Sequence, residues 1–198
     1  MSKVSKSVFL KRAVVTGSAG FIGFHVCAQL LDEGWLVCGI DALTNYYDVT
    51  LKNARNKLLL EQKNFTFFME KLENRDSIRK IFLDFEPDIV IHLGAQAGVR
   101  YSIESPSSYV DSNLIGTFNV LEATKDRNCK HLLLASTSSV YGGNTDNPYK
   151  EIHKSDIQMS FYAATKKSNE VMSHAYSHLF NLPITCFRFF TVYGPWGR

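Results

Sequence analysis

From Arg12 to Gly23 the chain reads Arg-Ala-Val-Val-Thr-Gly-Ser-Ala-Gly-Phe-Ile-Gly, a short β-branched run that breaks into glycines at every third position. Few stretches restrict a fold as much. The run predicts a buried strand over Arg12 to Thr16, and the residues after the loop predict a helix from Phe21 to Glu33. Gly17 permits the tight turn between them, Gly20 lets a diphosphate approach the backbone, and Gly23 lets the helix pack close to the strand. Free N–H groups at the helix start then face an anion. A βα turn of the same shape with no ligand is the plain alternative. The acid Asp41 tips the balance, because it stands at the end of the second predicted strand, Trp35 to Ile40. A carboxylate there accepts both ribose hydroxyls and repels a 2′-phosphate. No Arg or Lys follows it immediately, so NAD is favoured over NADP as the cofactor.

The rest of the chain keeps the same alternation. Helices are predicted over Val49 to Gln62 (with Leu51, Leu58 and Leu59 on one side), Asn74 to Phe85 behind an Asn cap, Ser107 to Arg127 and Phe161 to Phe180. In the long Ser107 helix, Val110, Leu114, Thr117, Phe118 and Leu121 fall at helical spacing. Strands are predicted over Phe65 to Met69, Asp88 to Leu93, His131 to Ser136 and Pro183 to Phe190. Gly142 to Pro148 reads as a loop. Alternating strands and helices imply an α/β fold, a Rossmann-type doubly wound parallel sheet of about six strands with helices on both faces. Residues 1–198 are read as one domain, with residues 1–10 as a tail.

Composition narrows the class further. With 198 residues, 45% apolar and 21% charged, the chain has ordinary globular usage and is neither disordered, collagenous nor a coiled coil. A net charge of +3 without a dense basic block gives no reason to expect nucleic acid as a partner. Cys27, Cys38, Cys129 and Cys186 have no metal-ligand spacing and suggest buried free thiols in a reducing cytoplasm, with no metal. No run of 18 apolar residues occurs, so no membrane partner is expected.

Tyr162-Ala-Ala-Thr-Lys166 places a phenol and an ammonium at i and i+4 on one helical face. A nearby ammonium favours phenolate and would make Tyr162 a general base near neutral pH. Alone, the spacing also fits an ordinary surface pair. Ser136-Thr137-Ser138-Ser139 lies at the end of the fifth strand, where doubly wound sheets bind ligands.

Taken together, TGSAGFIG, Asp41, HLGAQAGVR (from His92 to Arg100), STSSVYG (from Ser136), YAATK and RFFTVYGPWGR (from Arg188 to Arg198) resemble the extended short-chain dehydrogenase/reductase family. Within it they resemble the NAD-dependent nucleotide-sugar epimerases and dehydratases, most of all the UDP-glucuronate 4-epimerases. Tyr46-Tyr47-Asp48 is among the most specific signals. The resemblance implies epimerisation at sugar C4 through a transient 4-keto sugar. Tyr162 would be the base, Lys166 its tuning partner and ribose ligand, and Thr137 the hydrogen bond to the 4-oxygen. It implies NAD contacts at Gly17, Gly20, Phe21, Ile22, Gly23, Asp41, Leu93 and Asn113. Ser138, Ser139, Arg100 and Thr191 would meet the substrate, with Arg100 and Thr191 at a sugar carboxylate. A homodimer through the Ser107 and Phe161 helices is the implied assembly.

The dehydratases of this group carry an Asp-Glu pair after the Thr, where this chain has Ser138 and Ser139, which disfavours dehydration. Lys71 stands where an adenine-contacting Asp is usual, Ala42 replaces a frequent Asn, and Gly94 replaces a usual Ala. Family members also continue into a substrate domain and a seventh strand that are expected to be missing here. A non-catalytic NAD-binding fragment, an interaction protein, and a related dehydratase or reductase are the alternative readings.

Overall fold

The computed structural model describes residues 10–197. Arg198 and all of the expected N-terminal tail except Leu10 lie outside them. Six parallel strands form one sheet in the order β3-β2-β1-β4-β5-β6. They are β1 (Arg12–Thr16), β2 (Leu36–Asp41), β3 (Phe65–Met69), β4 (Ile89–His92), β5 (His131–Thr137) and β6 (Ile184–Phe189). The chain winds outward from β1 to β3, returns, and places β4 on the other side of β1. Thr16 is therefore in register with Ile40 on one side and His92 on the other. The gap beyond the carboxyl ends of β1 and β4 is the switch point where such sheets bind ligands.

The inner strands bury both faces, as parallel strands under crossover helices must, while the edge strands β3 and β6 stay partly exposed. Neighbouring residues of β1 serve opposite cores. Val14 packs with Ile40, Ile78, Phe82, Leu121 and Leu132, beneath α3 (Arg75–Phe85) and α6 (Gly116–Asp126). Val15 packs with Phe24, Cys27, Leu31, Leu59 and Phe65, beneath α1 (Phe21–Asp32) and α2 (Val49–Leu60). Each fully buried large apolar side chain contributes about 1.5–3 kcal/mol. The predicted Asn cap is present, with Asn74 Oδ1 accepting from Ser77 N–H.

Two helices depart from expectation. In α2 the buried face is Lys52, Arg55, Asn56 and Leu59, while Leu58 is exposed. Leu59 packs on the sheet, while Lys52 and Arg55 turn to backbone carbonyls of Thr44, Ala19 and Trp196. The expected long helix from Ser107 is broken into α5 (Pro106–Tyr109), a π turn (Val110–Ile115) and α6, preceded by a short α4 (Tyr101–Glu104). The π turn re-phases the helix, so Asn113, Thr117 and Leu121 point inward and Phe118 is exposed. α7 (Phe161–Phe180) has the predicted bounds, with Ser160 Oγ capping Ala163 N–H. All four cysteines are free thiols; Cys27, Cys38 and Cys129 are buried and Cys186 is partly so.

Candidate active site

The switch point opens into a cleft of about 800 Å³. Gly17, Gly20, Phe21, Asp41, Leu93 and Thr191 all line it. Gly17 has φ +70, and a Cβ there would stand 2.8 Å from Gly94 N, so only glycine lets the two loops meet. A Cβ on Gly23 would fall 2.0 Å from Gly17 O. Gly23 is thus the helix-packing glycine, and neither it nor Ile22 lines the cleft. The Asp41 carboxylate accepts from Ala19 N–H (3.1 Å) and Leu43 N–H (2.8 Å), which fixes it at the cleft edge. Ala42, Lys71 and Gly94, the family departures, line the same cleft. A Cβ on Gly94 would meet Leu72 Cδ1 at 2.9 Å, so this glycine makes room for Leu72.

His92 fixes the strand ends beneath the glycine loop. Gly94 N–H donates to Thr16 Oγ1 at 3.0 Å, which leaves the Thr16 hydroxyl proton for His92 Nδ1 at 2.7 Å. The other ring nitrogen then carries hydrogen toward Thr117 Oγ1 at 3.0 Å. Burial, helped by the charge of Lys166, pushes the His92 pKa down to about 3, so the ring is neutral.

Asn113 has a different task from the one expected of it. It is fully buried and does not line the cleft. Its Oδ1 accepts from Gln96 N–H (2.8 Å), and its Nδ2 donates to Gln96 O and Thr165 Oγ1 (3.0 Å each). It therefore pins the loop after β4 to α7, one residue before Lys166. Arg100 is exposed and lies outside the cleft lining, so the structure does not bring it together with Thr191.

Thr137, Ser138, Ser139, Tyr162 and Lys166 gather where β5 ends against α7, just beyond the cleft lining. Thr137 Oγ1 accepts from Ser139 N–H at 3.2 Å and donates toward Ser139 Oγ at 3.3 Å. Burial raises the Tyr162 phenol above the usual tyrosine range, a Thr137 hydrogen bond opposes it, and Tyr46 adds to the rise. The expected tuning by Lys166 is absent from this arrangement. The Lys166 ammonium is buried and donates to Ala135 O at 2.7 Å, and its own pKa is pushed down to about 8 by burial.

Beneath this group, Glu170 holds a bidentate pair with Arg188, both bonds 2.9 Å, and accepts from Ser136 Oγ at 2.6 Å. Ser136 faces Arg188 across β5 and β6, so one carboxylate ties both strands to α7.

The sequence did not single out Arg55, Lys52 or the run of tyrosines that leads from the cleft to Tyr162. Tyr46 packs on Tyr101 (4.8 Å between centroids), Tyr101 on Tyr109 (6.3 Å) and Tyr109 on Tyr162 (6.1 Å). The Tyr46-Tyr47-Asp48 stretch was the available signal for the first of them.

A doubly wound sheet with a glycine loop and acid at its switch point, and a Tyr-x-x-x-Lys helix beside it, is the dinucleotide-binding architecture of the short-chain dehydrogenase/reductase type. The chain belongs to the GDP-mannose 4,6 dehydratase family of NAD-dependent epimerases and dehydratases, whose model matches residues 14–198. Similar proteins include a probable UDP-glucuronate 4-epimerase of Rhizobium meliloti, 54% identical over 94% of this chain and 55% of that protein. Protein CapI of Staphylococcus aureus is 52% identical over 94% of this chain and 56% of that protein. The crystal structure of UDP-glucuronic acid 4-epimerase from Bacillus cereus, in complex with UDP-glucuronic acid and NAD, superposes with a TM-score of 0.86. It is 38% identical and is matched over 94% of this chain and 59% of that one. The chain thus spans somewhat more than half the length of these relatives. Among the described residues no helix is long and apolar enough to cross a membrane.

Proposed function

We propose that this chain is the cofactor-binding part of an NAD-dependent nucleotide-sugar 4-epimerase, with UDP-glucuronate and UDP-galacturonate as the sugar pair. The observation that carries this reading is the glycine-loop cleft with the Asp41 carboxylate fixed at its edge, beside Thr137, Tyr162 and Lys166 and with serines rather than acids at 138 and 139.

The cleft residues fit NAD. Gly17, Gly20 and Gly94 line the cleft with backbone alone and let the two loops close on each other, and Asp41 is held at the cleft edge by two backbone donors, where it would meet a ribose. When bound, NAD supplies a reversible hydride acceptor for the sugar C4. Tyr162 takes the proton of the sugar 4-hydroxyl and returns it to the same oxygen. Thr137 holds that oxygen in line. Tyr162 accepts that proton only as phenolate; burial disfavours that form, and the charge of Lys166, which donates here to the Ala135 carbonyl, is what would favour it. Ser138 and Ser139 offer hydroxyls but no acid for a leaving water, which disfavours dehydration. Thr191, on the cleft wall, remains a contact for the sugar carboxylate; exposed Arg100 is a weaker one. A homodimer through α6 and α7, whose surfaces expose Phe118, Val171 and Leu179, belongs to the same reading.

Two measurements test the proposal. Calorimetry of the chain with NAD is expected to show binding, and its absence overturns the cofactor assignment. The chain joined to the C-terminal part of a relative is expected to interconvert UDP-glucuronate and UDP-galacturonate. NAD binding without turnover would make it a dinucleotide-binding unit only.

A further inference from the structure

Arg55 is fully buried in α2, in the wall of the cleft, and its guanidinium is bonded to the glycine loop. It donates to Ala19 O (3.0 Å), inside the glycine loop, and to the Tyr47 hydroxyl (2.9 Å). It also donates through Nε to Trp196 O (3.1 Å), which accepts a second bond from the same fork. Every one of these acceptors is neutral, and among the described residues no carboxylate pairs with Arg55. A buried cation is costly unless an opposite charge meets it.

Trp196 belongs to a strap, residues 191–197, that folds back over the start of α1. The His25 ring bonds Pro195 O at 2.9 Å, and the Trp196 ring lies 5.7 Å from that of Phe24. Thr191, Val192, Tyr193, Gly194 and Gly197 form one wall of the cleft. Arg55 is thus the link between the loop that cradles a diphosphate and the wall that faces the remainder of the ligand.

We propose that Arg55 is the charge partner of the dinucleotide diphosphate and that, through the Trp196 carbonyl, it couples diphosphate binding to the position of the 191–197 strap. This rests on the cofactor reading above and assigns a residue that no motif pointed to. A guanidinium has five donors in a planar fork, so it can hold Ala19 O, Tyr47 Oη and Trp196 O with four of them and keep one N–H, and its fixed charge, for a diphosphate; a lysine cannot.

The chain has two tryptophans, so Trp35→Phe leaves Trp196 as the sole indole reporter. That variant is titrated with NAD, ADP-ribose and adenosine, following heat by calorimetry and Trp196 emission by fluorescence. NAD and ADP-ribose are expected to bind and to shift the emission, and adenosine to leave it unchanged. Added Arg55→Met is expected to weaken ADP-ribose at least tenfold and abolish the shift. Added Arg55→Lys keeps the charge but loses the fork, and is expected to bind within about fivefold without the emission shift. If Arg55→Met does not fold by circular dichroism, the Lys variant decides. ADP-ribose binding with unchanged Trp196 emission, or equal affinity and equal shift in the Arg55 variants, overturns this proposal while leaving the cofactor reading intact. No binding of NAD or ADP-ribose by the Trp35→Phe parent overturns both.

Discussion

The Lys166 ammonium donates to the main-chain carbonyl of Ala135 at 2.7 Å, although the Tyr162 phenol precedes it by one turn of the same helix. Sequence spacing pairs Tyr162 with Lys166; the folded chain pairs Lys166 with strand β5. The phenol accordingly stays above the usual tyrosine range instead of below it, because burial dominates its surroundings.

Tyr162→Phe removes the proposed proton acceptor while keeping the ring and its packing on Tyr109. In the extended enzyme it is expected to lower kcat by about 10²–10⁴-fold, the span of general acid–base contributions. Steady-state kinetics alongside NAD calorimetry checks this, with cofactor affinity expected to stay unchanged.

His92 makes acid stability legible. Its folded pKa is about 3, below the 6.5 of an unperturbed imidazole. On acidification the unfolded chain takes up the proton first, so the stability is complete above about 6.5 and is lost as pH falls toward 3. Between pH 7 and 5 this single site is expected to remove about 2 kcal/mol. Urea unfolding of the parent and of His92→Asn at both pH values checks it, the variant showing the shallower dependence.

Gly23→Ala drives a Cβ to within 2.0 Å of Gly17 O, a backbone atom that cannot swing aside. The helix start must move away from the glycine loop. A loss of about 1–3 kcal/mol, typical of overpacking, is expected in chemical denaturation, with weakened NAD binding.

Glu170 and Arg188 form a pair whose side chains are 11% and 18% exposed. Removing either partner strands the other's charge. Glu170→Gln or Arg188→Met is expected to cost about 3 kcal/mol, and the double variant less than the sum. A double-mutant cycle in urea measures the coupling.

Much of the architecture was written in local pattern. The runs that became β1, β3 and α7 are bounded by glycine, Asn or Ser caps and turn residues, and their ends were readable to the residue. The glycine loop and Asp41 declared the cleft because their chemistry depends on order along the chain. What stayed hidden depends on partners far away in sequence. Arg55 and Trp196 are joined across 141 positions, and no periodicity announces such a contact. The leucines of α2 announced Leu59 as buried but not Leu58 as exposed, nor Lys52 and Arg55 as buried beside Leu59. Asn113 looked like a cofactor ligand by alignment, yet its amide is consumed by Gln96 and Thr165.

The π turn over Val110–Ile115 accommodates one more residue per turn than an α-helix would in the same rise. Chain length is therefore itself encoded information at this point. Deleting a single residue there would let the segment relax to ordinary α-helix and would rotate everything before it by about 100° relative to α6. Tyr109 would leave the Gly98 carbonyl it now reaches at 2.5 Å, and the row of tyrosines toward Tyr162 would be cut in the middle. Substitution scanning would register the Asn113 amide but not the count of residues in this turn; an indel scan would expose it.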